Sequence, residues 1–393
     1  MFQPDRHETL VAPPWNETEA RGAILEIASS ALARFDNSTL WPSHPMDGVP
    51  DGMAGMYMGA AGVILALDYL KRAGAIDYTQ DFAPALSGIV ERDNVWLKNM
   101  PLGDYGSLLM GDLGTHLVAM RLAPDSRTAD RIYNRALGNN ALPVIEMMWG
   151  TPGSMLVCVF MHAQTGEERF AALYRTQAAR LLAALEQGGG TRLWAQEIYG
   201  QRARYLGLVH GFAGNMLAFI RGWQWLDAGQ QRMIADVTME TLSATAKRAG
   251  ATANWPSNAD LPEAPMLCQV CHGAPGILVG VGDAPFSSPD FDRLLVEAGN
   301  LVWSAGPVKK GSNFCHGTGG NAYAMLALFK RTGDALWLER ARAFAMHAIA
   351  QLHTATREYG RGRYSLWTGD PGLAVCLWSC ITSEPEFPGL DVL

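Results

Sequence analysis

Asn313-Phe314-Cys315-His316-Gly317-Thr318-Gly319-Gly320-Asn321 sets a thiol, an imidazole and a glycine turn side by side. Gln269-Val270-Cys271-His272-Gly273-Ala274-Pro275-Gly276 repeats the pattern, and Leu208-Val209-His210-Gly211-Phe212-Ala213-Gly214 keeps the histidine without the cysteine. In each, G-x-x-G stands at the start of an apolar segment. The same turn recurs as Gly59–Gly62, Gly111–Gly114, Gly150–Gly153 and Gly369–Gly372. The first glycines sit at 59, 111, 150, 211, 273, 317 and 369, at spacings of 52, 39, 61, 62, 44 and 52 residues. Repeats of this size indicate a solenoid, a propeller or a closed ring.

The segments between the turns are helical. Ile24, Leu25, Ile27, Ala31 and Leu32 form one stripe within Thr18–Phe35. Comparable amphipathic stretches lie near 80–97 and 125–138, and at Glu167–Glu186, Gln230–Ala249, Pro289–Ala305 and Asp334–Ala355. Each leads to a glycine turn and then to a run that is apolar almost all round, as in Val63–Leu70 or Ala322–Phe329. An amphipathic helix suits an outer layer, and a uniformly apolar one suits an inner layer. The expected fold is therefore all-α: a single-domain, double-layered α/α toroid of seven outer and seven inner helices. A closed ring needs no polar capping repeats. Residues 1–17 are read as an N-terminal arm, and 18–393 as the barrel domain.

Composition narrows the function. The net charge of −7, with no basic block, argues against a nucleic-acid partner. No apolar run reaches the ~18 residues of a membrane span. The N-terminus lacks the cationic and apolar regions of a signal peptide. Six cysteines in 393 residues are too few for a disulfide scaffold. A cytoplasmic setting is expected. No G-x-x-x-x-G-K-[ST] occurs and no strand precedes the turns, so a phosphate loop is not indicated. Glycine allows positive φ and close backbone approach, and seven helix N-termini at one end of a ring would bring seven sets of unpaired N–H groups to a polar mouth.

Cys271, Cys315 and His316 supply two sulfurs and one nitrogen at equivalent turns. That donor set suits zinc and leaves a fourth position open. Cys268-x-x-Cys271 also has ligand spacing, so a closed Cys3His site is the alternative. His272 is a further ligand or acid/base candidate. Cys158, Cys376 and Cys380 lie in apolar segments and read as core.

These motifs resemble the lanthionine synthetase C family, and particularly its stand-alone LanC-like branch. The family marks are H-G-x-x-G, W-C-H-G-A-P-G and C-H-G-x-x-G-N; here Val270 replaces the tryptophan. The resemblance implies Zn2+ held by Cys271, Cys315 and His316. It implies addition of a thiol, either glutathione or a cysteine of the peptide itself in lanthionine cyclisation, to a dehydroalanine or dehydrobutyrine, forming a thioether. His210 is implied as the acid/base residue, with Glu146 tuning it. Val308-Lys309-Lys310-Gly311 resembles a segment of the branch that binds glutathione, which implies Lys310 near the substrate. Arg361 and Arg363 precede Ser365-Leu366-Trp367-Thr368-Gly369, where the branch has one functional arginine; the register is off by one. Glutathione and a dehydrated peptide or protein are the implied partners. The seven units fill the chain, so dehydration would fall to a separate dehydratase or kinase. Two other classes remain open: a non-catalytic zinc-stabilised scaffold binding glutathione or peptides, and an α/α-barrel glycosidase using Asp112 and Asp370 as paired carboxylates.

Overall fold

The computed structural model describes residues 1–11, 13–99, 106–188, 190–198 and 200–393. Among these residues are fourteen α-helices in chain order. Seven are outer: α1 (Glu17–Arg34), α3 (Leu86–Lys98), α5 (Ser126–Gly138), α7 (Glu168–Ala183), α9 (Ala228–Thr245), α11 (Pro289–Ala305) and α13 (Ala335–Tyr359). Seven are inner: α2 (Ala60–Arg72), α4 (Asp112–Leu122), α6 (Thr151–Thr165), α8 (Phe212–Arg221), α10 (Ala274–Val281), α12 (Thr318–Thr332) and α14 (Asp370–Thr382). Each inner helix touches the next, and α14 touches α2, so the inner ring is closed. The inner helices bury most of their residues, and α10 buries all of them, whereas α1 buries one stripe comprising Ala20, Ala23, Ile24, Ile27, Ala28 and Ala31.

The ring closes through its chain ends. Most inner helices pack against the outer helix that follows them, as α6 does with α7 and α12 with α13. No later helix follows α14, and α1 packs there instead. Helix α1 is thus a stave of the barrel, while residues 1–11 run across the surface. Asn254 Nδ2 donates to the Met1 carbonyl (2.6 Å), Lys309 N to Arg6 O (3.0 Å) and Glu8 N to Pro307 O (3.0 Å).

The glycine turns have one geometry. The loop before each inner helix folds back over its first turn. N–H groups of that turn then donate to carbonyls seven residues earlier: Ala60 to Met53, Phe212 to Tyr205, Thr318 to Gly311 and Asp370 to Arg363. The expectation of free N–H groups at the mouth is corrected accordingly: at these four turns the loop's own carbonyls take up helix-terminal donors. The same wrap explains the glycines. A Cβ on Gly62, Gly114, Gly153, Gly214, Gly276, Gly320 or Gly372 would press into the carbonyl oxygen exactly six residues before it. Close approach, rather than positive φ, is what demands glycine here. Of the seven N-cap glycines only Gly273 has positive φ (98°).

Two outer helices end earlier than their apolar pattern suggests. Chain at Glu186–Gly188 pairs with Thr191–Leu193, and Lys247–Ala249 with Thr252–Asn254, as antiparallel hairpins; Gln196–Ile198 pairs with Gln201–Ala203. Gly190, Gly200 and Gly250 lie in their turns at positive φ. Local turn chemistry there overrides helical periodicity.

At the other end of the chain, Phe387 is fully buried and stacks on Phe314 (3.8 Å between centroids). Asp391 accepts from Tyr323 Oη (2.5 Å) and Phe387 N (2.8 Å) and pairs with Arg221. Tyr323 lies on α12 and Arg221 on α8, so this segment fills the lumen beneath the turns.

Gly320→Ala is expected to cost about 3 kcal/mol or more, because the Phe314 carbonyl is backbone and cannot step aside. Gly138→Ala, at a helical site with open space, should be neutral or slightly stabilising. Urea denaturation of the two variants checks this. A second expectation concerns Asp93, which is buried beside Asp112 and bonded by Thr115 Oγ1 (3.2 Å). Burial, with the Asp112 charge adding to it, pushes the Asp93 carboxyl up to about 7. The native state then holds a proton that the unfolded chain releases near 3.8. Stability is full at low pH and falls by up to roughly 4 kcal/mol as pH rises to about 7. Asp93→Asn should remove most of that slope in thermal melts taken from pH 4 to 8.

Candidate metal and thiol site

The equivalent turns bring equivalent positions together. Two residues before the first glycine stand Tyr57, Leu109, Met148, Val209, Cys271, Cys315 and Trp367. Their backbones are linked from unit to unit: Cys271 N donates to Cys315 O (3.2 Å), Cys315 N to Trp367 O (2.8 Å), Trp367 N to Tyr57 O (3.4 Å) and Tyr57 N to Leu109 O (3.0 Å). Met148 N and Val209 O make the same contact at 3.3 Å. This chain of backbone hydrogen bonds holds the two cysteines in register. One residue later stand His210, His272 and His316.

Cys271 Sγ, Cys315 Sγ and a His316 ring nitrogen all lie within 4.8 Å of one another. The Cys315 Sγ to His316 Nε2 distance is 3.6 Å. Tetrahedral zinc with its usual bond lengths sets such atoms roughly 3.5–3.8 Å apart, so the donor set and the spacing fit that ion. Asn313 Oδ1 accepts from His316 N (2.9 Å) and steadies the turn. The thiols are buried, yet their hydrogen bonding favours one thiolate. Burial works against it, but hydrogen bonds from Cys315 and His316 and the charges of His272 and His316 draw Cys271 well below the usual thiol value. Burial and the neighbouring Cys271 charge hold Cys315 well above it.

Cys268 is not in this cluster. Burial pushes its thiol up to about 12, as for a neutral core cysteine. Among the described residues no further His, Cys, Asp or Glu joins the three members of the cluster. Cys158, Cys376 and Cys380 are buried in helices α6 and α14.

Beside the cluster, His210 Nδ1 lies 3.0 Å from Glu146 Oε2. Glu146 is fully buried and its carboxylate also accepts from Met148 N (3.1 Å) and Trp149 N (2.7 Å). Burial lowers the His210 pKa, but the Glu146 hydrogen bond and charge more than offset it, so the net direction is upward. His272 goes the other way: burial lowers it, aided by His210 and His316. The two rings are stacked at 6.2 Å, with Tyr205 6.3 Å from each. The His272 Nδ1 atom is buried without a hydrogen-bond partner.

The other expected residues lie farther out. Lys309 and Lys310 are exposed and line a groove of about 480 Å³ with Glu8, His347, Gln351 and Tyr359. The Lys310 charge nonetheless reaches Cys315. Arg361 is exposed and donates to Ser43 O (3.3 Å). Arg363 pairs with Asp47, and its charge reaches Tyr57. The glycosidase carboxylates are otherwise engaged: Asp112 is paired with Arg135 of α5 (2.7 Å), and Asp370 accepts from Arg363 N (2.7 Å).

Two residues absent from the motif reading touch the sulfurs. Tyr57 Oη donates to Cys315 Sγ (3.0 Å) and Gln269 Nε2 to Cys271 Sγ (2.8 Å). The register was the available signal for Tyr57, which stands in the frame of the two cysteines.

Comparison with known proteins agrees with this geometry. The family model described as lanthionine synthetase C-like protein matches residues 50–392. The LanC-like protein GCL1 of Arabidopsis thaliana is 28% identical over 257 residues, covering 63% of this chain and 58% of that protein. The chain's match thus spans less than two thirds of that relative. A Danio rerio protein named glutathione S-transferase LANCL1 is 26% identical over 313 residues, covering 75% of this chain and 72% of its own. The structure of nisin cyclase superposes with a TM-score of 0.62 at 17% identity, covering 94% of this chain and 96% of that one, and so shares the toroid fold. No helix among the described residues is long and apolar enough to cross a membrane.

Purified protein is expected to bind one Zn2+ per chain by elemental analysis. Cys271→Ser and Cys315→Ser should lose it, while Cys268→Ser should keep it.

Proposed function

This chain belongs to the lanthionine synthetase C-like family, and we propose that it joins a thiol to a dehydroamino acid, with glutathione as the thiol and a dehydroalanine- or dehydrobutyrine-containing peptide or protein as acceptor. The observation that carries the reading is the Cys271, Cys315 and His316 cluster, open at its fourth position, with the Glu146–His210 pair beside it. Cys271, Cys315 and His316 would hold zinc, which would supply a Lewis acid that lets a thiol give up its proton to solvent at neutral pH.

The chain's own residues do the rest. The thiolate sulfur bonds to the acceptor Cβ, the carbon–carbon π bond opens, and negative charge moves onto the acceptor carbonyl as an enolate. That charge must be met and the Cα protonated. Glu146 occupies Nδ1 of His210, so the proton passes through Nε2. An imidazole whose pKa is raised by a buried carboxylate is suited to donate. Lys310 supplies a positive charge on the approach to Cys315 and suits a carboxylate of glutathione. His272 orients the substrate from across His210, and Arg363, tied to Asp47, offers a second cationic anchor; Arg361 lies outside it. The similarity to a protein named glutathione S-transferase supports glutathione over a cysteine of the acceptor itself. A cytoplasmic location and a separate enzyme that dehydrates the acceptor complete the proposal.

Incubation with glutathione and a dehydroalanine peptide should add one glutathione mass to the peptide, dependent on zinc. His210→Ala should retain zinc and lower the rate by about 10²-fold or more. Full turnover by His210→Ala removes that residue from the reaction. Peptide unmodified by zinc-loaded protein removes glutathione transfer, and the same assay with a cysteine-bearing peptide then tests cyclisation.

A further inference from the structure

We infer that Tyr57 and Gln269 are positioning residues of the metal centre, each donating one hydrogen bond to one of its two sulfurs and so limiting the charge those sulfurs deliver to a bound ion. This rests on the reading that Cys271, Cys315 and His316 hold a metal. Two thiolates cancel the whole charge of a divalent cation. Left undamped, they would make it a poor Lewis acid toward a fourth ligand. An N–H or O–H donor aimed at a ligating sulfur withdraws electron density from it and restores acidity to the ion.

Both donors are built in. Tyr57 is 6% exposed, and its hydroxyl reaches Cys315 Sγ at 3.0 Å. Its backbone is held on both sides by the ring of unit-to-unit hydrogen bonds, and its ring stacks on Trp367 at 5.5 Å and 28°. The residue can turn neither at its backbone nor at its ring. Gln269 is 4% exposed and reaches Cys271 Sγ at 2.8 Å. Its backbone N–H and C=O both bond to His272, closing a tight turn with Val270 and Cys271 at its centre.

A glutamine can present either its oxygen or its nitrogen to a neighbour. Arg6 decides which. Its Nη2 lies 3.5 Å from Gln269 Oε1. A guanidinium has only donors, so the amide oxygen must face Arg6 and the NH2 must face the sulfur. Arg6 is in turn fixed by its carbonyl, which accepts from Lys309 N (3.0 Å). The N-terminal arm therefore acts through Gln269 on Cys271, and its residues 1–11 belong functionally to the site they border.

The test uses the full-length protein loaded with Co2+ in place of Zn2+, whose sulfur-to-cobalt absorption reports electron density at the sulfurs. Tyr57→Phe keeps the ring on Trp367 and removes only the donor; Gln269→Leu removes the other. Each is expected to move the band to lower energy and to change metal affinity by about tenfold in chelator competition. Arg6→Ala should shift the band as Gln269→Leu does, and Arg6→Lys should restore it. A wild-type band unchanged in both Tyr57→Phe and Gln269→Leu overturns the inference while leaving the metal site intact. Absence of any sulfur-to-cobalt band in the wild-type protein takes down the metal reading itself, and this inference with it.

Discussion

The structure depends on a close approach between a loop and the helix it precedes. Before each inner helix the chain folds back until a carbonyl six residues upstream rests against the third residue of the helix. Any Cβ would collide there, so the third position is glycine in all seven units. The wrap also supplies carbonyls to helix-terminal N–H groups at the turns of α2, α8, α12 and α14, which would otherwise be buried without partners. A backbone constraint of this kind leaves side chains just before the first glycine free to vary. They face one another around the end of the ring, so chemistry can differ from unit to unit without disturbing the fold.

That freedom is used unevenly. Units five and six place cysteines two residues before the glycine; units four, five and six place histidines one residue before it. Units one and seven place Tyr57 and Trp367 in the cysteine register, packed against each other, with Trp367 also against Phe314. One arc of the ring thus carries thiols and imidazoles, and the adjoining arc is aromatic. His210 and His272, with ring centres 6.2 Å apart, are shifted in opposite directions from the ordinary imidazole value, burial lowering both and the buried Glu146 carboxylate raising His210. Environment, and not residue type, sets the direction in which each imidazole is moved.

Much of this was legible in the sequence because it is periodic. The seven glycine pairs, the alternation of amphipathic and apolar helices, and the shared frame of Cys271, Cys315 and His316 all repeat, and repetition gives both the ring and the cluster. What escaped is not periodic. The helical stretches read through Glu186 and Ala249 run into the hairpins that open at Glu186–Gly188 and Lys247–Ala249. Gln269 lies outside the repeated frame, and its role follows from a turn that returns its side chain to Cys271. Arg6 is more than 260 residues from the amide it orients, a contact no local pattern encodes. The helix termini were misjudged for a related reason: counting unpaired N–H groups assumes that the preceding loop leaves, and here it comes back.

The last residues of the chain constrain how anything can reach the cluster. Phe387 lies under Phe314, the neighbour of Cys315, and packs against Trp367 as well. Asp391 ties the same segment to Tyr323 and Arg221, on inner helices of two different units. The lumen of the toroid is therefore filled from below with aromatic side chains, and the sulfurs stand on that floor. A packed floor also resists movement, because its rings interlock and a shift of one needs a shift of all. Cys315 is held from beneath by Phe314, from one side by Tyr57, and along its backbone by Cys271 and Trp367. A side chain fixed in that many directions would keep its geometry whether or not a fourth partner joined an ion held there, which is what exchange of that partner would require.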